Sequence, residues 1–223
     1  MAPPTTTLAG TNVPSPPRDL DALVATLSWR RGERIHRIHP DRFGATQFND
    51  TGTGNARFSP IRDAGGSTIP TIYGGTTFEC AAMETVFHDV PFALGLKTYD
   101  KAKLKGHAHS VIEPVRDLTL TDLSSTALRN LGLRRTDLID TEKNQYPGTR
   151  LWAEAVHKAC PSVEGLCWVS RQHDRALAIV LFGDRVAAGD LTEVDVSRDI
   201  VSDVSVYADL LGLASRIGVN VVG

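Results

Sequence analysis

The chain lacks most of the features that assign a protein quickly. Its 223 residues include only three cysteines, Cys80, Cys160 and Cys167. They form no C-x-x-C pair and are too few for a disulfide framework, so a reducing compartment is expected, with the cytoplasm as default. Charge of one sign is not in excess: 24 Lys and Arg face 26 Asp and Glu, a formal net of −2. That balance argues against a direct nucleic-acid binder and against a basic membrane-surface helix. No apolar run approaches the roughly 18 residues that suggest a transmembrane helix, so no membrane association is expected. The start, MAPPTTTLAGTNVPSPPRDL, has neither the basic nor the apolar region of a secretory signal. Several familiar motifs are also missing. GTGNAR has Arg57 where a Rossmann fingerprint needs glycine, and no Walker A or G-x-S-x-G sequence occurs. Glu84 with His88, and His107 with His109, are partial metal pairs. Neither completes a zinc ligand set, so no metal is expected.

What is present reads as one folded unit behind a tail. Residues 1–17 are rich in Pro and Thr and are expected to be mobile; residues 18–223 form the domain. RDLDALVATLSWR reads as an amphipathic helix, and ERIHRIHP as a strand over residues 33–39, ending at a proline. IPTIYGG, GHAHSVIEPVRDLTLTDL, GLCWVSR, RALAIVLFGD, DLTEVDVS and VNVV read as strands, with RALAIVLFGD apolar enough to be central in a sheet. SSTALRNLG, GTRLWAEAVHKAC and VSVYADLLGLASRIG read as helices. Strands and helices mix without regular βαβ alternation, which predicts an α+β fold.

One helix contains an anomaly. In TTFECAAMETVFHD, Thr76 followed by Glu79 has the spacing of a capping box and predicts a helix from about residue 77. The helix is apolar nearly all round, so burial is expected. Glu84 nevertheless sits in its middle. A buried carboxylate needs a partner. Either Glu84 pairs with an arginine for structural reasons, or it lines a cleft and performs chemistry.

Other residues fall in a suggestive order around it. IHRIHP places Arg37 on a strand, NARFSP places Arg57 in a glycine-rich loop, and IPTIYGG places Tyr73 just before the helix. Much later, GLCWVSRQ places Ser170 and Arg171 at a strand end. From about Ile35 to Phe182 this set resembles the RES domain, named for its arginine, glutamate and serine. The three match Arg37, Glu84 and Ser170, and Arg57 and Tyr73 match two further pocket positions. His36 stands where the family often has tyrosine, and with Arg42 and Arg171 it is a candidate neighbour at the pocket edge.

The resemblance implies a single α+β domain with a mixed or antiparallel sheet core like that of ADP-ribosyltransferases, flanked by helices. It also implies a bacterial toxin that consumes NAD+ by cleaving its nicotinamide–ribose bond, with NAD+ as substrate, no bound cofactor, and water or inorganic phosphate as acceptor. The implied partner is a helix-turn-helix antitoxin; an oligomer is compatible with the sequence. Two alternatives stay open: ADP-ribosyl transfer to a protein, and a non-catalytic module that binds the antitoxin.

The residue types suit that chemistry. Guanidinium forks match phosphate oxygens, so Arg37 and Arg57 are candidates for the pyrophosphate. Tyr73 is suited to stacking on nicotinamide or bonding a ribose hydroxyl. Loss of nicotinamide leaves positive charge on the ribose, as in glycoside cleavage, and a carboxylate such as Glu84 stabilises it. Ser170 is a candidate for a phosphate oxygen or for orienting the acceptor, and no neighbouring base marks it as a nucleophile. Each also has a plainer reading: Arg37 paired with Glu84, Arg57 in solvent, Tyr73 in the core, Ser170 ending a strand.

Overall fold

The structure is a computed structural model that describes residues 10–223. In chain order, its first elements are α1 (Leu20–Leu23), β1 (Thr26–Trp29), β2 (Ile35–Pro40), β3 (Ile61–Arg62), β4 (Thr68–Ile69), β5 (Thr71–Gly75) and α2 (Phe78–Thr85). Then come β6 (Lys97–Asp100), β7 (His107–Pro114), β8 (Leu118–Asp122), α3 (Ser125–Asn130), α4 (Arg135–Leu138) and α5 (Tyr146–Ala159). The chain ends with β9 (Gly165–Val169), β10 (Leu177–Phe182), β11 (Leu191–Asp199), α6 (Val204–Arg216) and β12 (Val219–Val222).

The fold is α+β, as the mixed order of elements predicts. Eight strands form one sheet in the order β1-β8-β9-β10-β5-β2-β7-β11. All neighbours are antiparallel except β8 and β9. The apolar run around β10 is central, as expected. Its residues divide by the period-2 rule of a strand. Ala178, Val180 and Phe182 pack with Trp152 and Val156 of α5, while Ile179 and Leu181 face a second core with Ile35, Ile72 and Leu120. A third core joins α2 to α6 through Ala82, Phe87, Leu210 and Leu213.

Two expectations are corrected. The helix predicted over RDLDALVATLSWR is only α1, and the chain then extends into β1 against β8. Trp29 is buried there, and strand pairing outweighs the apolar spacing that looked helical. The second concerns residues 10–17, expected to belong to a mobile tail. Residues 1–9 lie outside the described residues, but the described part docks on α5. Val13 is 1 % exposed, the Asn12 N–H donates to Gln145 Oε1 at 2.6 Å, and Trp152 Nε1 donates to the Pro14 carbonyl at 2.6 Å. Apolar burial and two hydrogen bonds offset the entropy of ordering these residues. Among the described residues no helix is long and apolar enough to cross a membrane.

Candidate active site

Tight packing between α2, β5 and β2 sets the site. A Cβ on Gly75 would stand 2.5 Å from Cys80 Sγ, and one on Gly74 would stand 2.4 Å from Ile35 Cγ2 and 2.9 Å from the His36 carbonyl. Only glycine permits this approach, and it brings the strands bearing Arg37 and Tyr73 against the helix bearing Glu84. Thr77, not Thr76, is the N-cap of α2; its hydroxyl accepts from Cys80 N at 3.1 Å. Thr76 instead ties the helix entry to β10. Its N–H donates to the Leu177 carbonyl at 2.9 Å, and its hydroxyl accepts from Leu177 N at 3.1 Å. Glu79 is free of a capping box and forms a surface ion pair with Arg216.

Glu84 lies in the last turn of α2 and is half-buried. Its partner is not an arginine. Ser170 Oγ donates to Glu84 Oε1 at 2.6 Å, within the range of a charge-assisted O–H···O⁻ bond. Ser170 is fully buried and also accepts from the N–H groups of Gln172 at 3.1 Å and His173 at 3.0 Å. The serine is therefore locked and aims the carboxylate; it does not line the cleft. One turn earlier, Cys80 is buried, and burial together with Glu84 pushes its thiol up to about 12. It supplies no thiolate at neutral pH.

Two arginines line, with Glu84, a cleft of about 310 Å³. Arg37 is 5 % exposed, and no carboxylate pairs with it among the described residues. Its Nη1 donates to the carbonyls of Ala45 and Gln47, its Nε has no partner among the described residues, and burial pulls its pKa down to about 10. The cation thus persists at neutral pH without a counter-ion. Arg57 is 4 % exposed. Its Nη1 donates to Thr141 Oγ1 at 2.7 Å and to the Thr141 carbonyl at 3.2 Å, and its Nε and Nη2 have no partner among the described residues. Tyr73 and Trp168 form an aromatic wall, with ring centres 6.2 Å apart and edge to face. The Tyr73 hydroxyl accepts from Phe58 N at 2.7 Å, and burial raises its pKa.

Of the expected residues, Arg37, Arg57, Tyr73 and Glu84 line one cleft, and Ser170 supports it from behind. His36 and Arg171 do not line it. His36 alternates away from Arg37 along β2, and its ring stacks on His109 with centres 5.3 Å apart. Arg171 donates to the Thr141 carbonyl at 2.7 Å and pairs with Glu142, so it braces the loop that holds Arg57. Arg42 lies over the Phe43 ring and is absent from the cleft wall as well. Sequence reasoning passed over Trp168, Lys143 and Tyr146 in the wall. His88, expected only as half of a partial metal pair with Glu84, enters the wall from the turn that follows α2. Among the described residues no group of three or more His, Cys, Asp or Glu side chains is arranged to hold a metal.

Compared with known families, the chain matches the family model of the RES domain over residues 34–203. No curated protein matches it.

Proposed function

Because the chain belongs to the RES-domain family, we propose that it is an NAD+-consuming enzyme that cleaves the nicotinamide–ribose bond. One observation carries the reading: a carboxylate aimed by a buried serine shares a cleft with two buried guanidinium groups that no carboxylate among the described residues neutralises. Two unneutralised cations favour a polyanionic ligand, and the pyrophosphate of NAD+ supplies one. The single carboxylate favours developing positive charge. When the C1′–N bond breaks, its electron pair leaves with neutral nicotinamide, and Glu84 stabilises the ribosyl cation. Water or inorganic phosphate then bonds to C1′; water releases one proton as ADP-ribose forms. Trp168 and Tyr73 offer aromatic surface to the nicotinamide end. Arg37 and Arg57 hold phosphate oxygens, and Ser170 fixes the direction of Glu84.

The same reading makes the protein a growth-arresting toxin of the cytoplasm held in check by a helix-turn-helix antitoxin. A protein partner is supported by the loop just past the cleft wall, where Phe92 and Leu96 are 80 % and 75 % exposed and Leu94 is fully exposed. Exposed apolar side chains in one segment suit a protein contact.

The decisive experiment incubates purified protein with NAD+, with and without phosphate, and identifies products by mass spectrometry. Free nicotinamide with ADP-ribose indicates hydrolysis; nicotinamide with a phosphorylated ADP-ribose indicates phosphorolysis. Intact NAD+ in both arms, with no label transferred to protein in a cell extract, refutes the reading.

A further inference from the structure

Arg57 is held in an incomplete way. Thr141 satisfies Nη1, yet Nε and Nη2 stay buried and have no partner among the described residues. Unpaired charged donors inside a protein are costly, and each calls for a physical reason, a ligand among them. The guanidinium lies against the Tyr146 ring, 5.2 Å from Cζ to the ring centre. This cation–π contact offsets part of the cost but accepts no N–H.

Tyr146 is in turn restrained at its far end. Its hydroxyl is 2.6 Å from His88 Nε2, and His88 Nδ1 is 2.9 Å from Asp89 Oδ1. Asp89 receives Lys143 Nζ at 2.5 Å. With the carboxylate accepting from Nδ1–H, Nε2 is left as acceptor and the phenol donates to it. Four side chains from two segments, 88–89 and 143–146, therefore run from the rim of the cleft to the arginine. Glu84, Arg171 and Arg57 are the other charges acting on Tyr146. The cleavage proposed above uses none of His88, Asp89, Lys143 or Tyr146.

We propose that Tyr146, fastened by His88, Asp89 and Lys143, is a latch over a latent phosphate site formed by Nε and Nη2 of Arg57. A ligand phosphoryl group displaces the ring from the guanidinium and takes both donors as a fork. Arg37, with its own unpartnered Nε, brings a second cation to the same group. The latched form binds the anion poorly, so the free energy of the latch is subtracted from ligand affinity. The inference deepens the proposed function and rests on the ligand's being a phosphate anhydride.

Calorimetric titration of the whole chain with inorganic pyrophosphate tests it. Fluorescence provides a second readout, because Trp168 is in the cleft wall. Tyr146→Phe removes the fastening hydroxyl, and His88→Ala removes its acceptor without altering Tyr146. Each variant is expected to bind pyrophosphate about tenfold more tightly, the equivalent of one hydrogen bond of ~1.4 kcal/mol. Adding Arg57→Gln is expected to abolish the gain. Equal or weaker binding by either folded variant, or a gain that survives Arg57→Gln, overturns the latch. NAD+ cleaved by the unaltered protein with no gain in the variants sinks the latch alone. NAD+ left intact with the gain present sinks the cleavage reading and leaves the latch standing.

Discussion

Replacing Ser170 with alanine separates aiming from chemistry. The substitution removes the 2.6 Å bond to Glu84 and the acceptor shared by the N–H groups of Gln172 and His173. A hydrogen bond to a charged group contributes roughly 1.5–3 kcal/mol. If that much is lost from transition-state stabilisation, kcat falls by about 10- to 150-fold. KM is expected to change less, because the proposed ground-state binding rests mainly on Arg37 and Arg57. Glu84→Gln removes the charge itself and is expected to cost about 10²–10³-fold or more, the range seen when one electrostatic stabiliser is deleted. Steady-state NAD+ cleavage in the two single variants and the double variant provides the assay, with thermal midpoints to establish folding. Because Ser170 acts through Glu84, the double variant should be scarcely slower than Glu84→Gln alone. A folded Ser170→Ala protein with unchanged kcat refutes the reasoning. So does a double variant whose losses multiply, since that outcome gives the serine an independent role.

Three further outcomes follow from contacts in and around the cleft. Arg37→Gln removes an unneutralised buried cation and should raise KM for NAD+ by at least about tenfold, with circular dichroism confirming the fold; an unchanged KM places the phosphates elsewhere. Tyr73→Phe leaves the Phe58 N–H without its acceptor and should lower stability by about 1–3 kcal/mol in urea titration; equal midpoints show that the contact contributes nothing. Stability should also fall in mild acid. Burial first, then neighbouring cations, hold His39 and His109 down to about 4, and His36 is lowered too. These rings stay neutral in the folded protein, whereas the unfolded chain takes up protons below about pH 6.5. The unfolded state binds more protons between about pH 6.5 and 4, so stability is lost as pH drops through that window. After discounting for solvent screening, the loss is about 1–3 kcal/mol in total, and a thermal midpoint at pH 5 equal to that at pH 7.5 refutes it.

The strands around β2 and β10 and the helix α5 were legible because their apolar periods are long and unbroken. The region from Leu20 to Trp29 was not, because a short amphipathic run fits both periods and the pairing that decides it comes from β8, far along the chain. Consecutive threonines obscured the start of α2. Either can cap, and the choice falls to Thr77 because Thr76 is occupied by Leu177. For the site, residue type was informative and immediate neighbours were misleading. His36 adjoins Arg37 but points to the other face of β2, a consequence of strand alternation that the sequence itself implied. Arg171 adjoins Ser170 but reaches Thr141 and Glu142 instead. Tyr146 had no such signal, since only the packing of α5 against the Arg57 loop gives it a task.

Glu84 and Ser170 are 86 positions apart, and Thr76 is fastened to Leu177 in the central strand. During synthesis the helix bearing Glu84 leaves the ribosome long before its serine does. Until residues beyond Leu177 emerge, the central strand is absent, the helix entry is untied and the carboxylate has no fixed aim. Chain order thus delays the cleft: its strands and the helix α2 come together only once β10 has been added to the sheet.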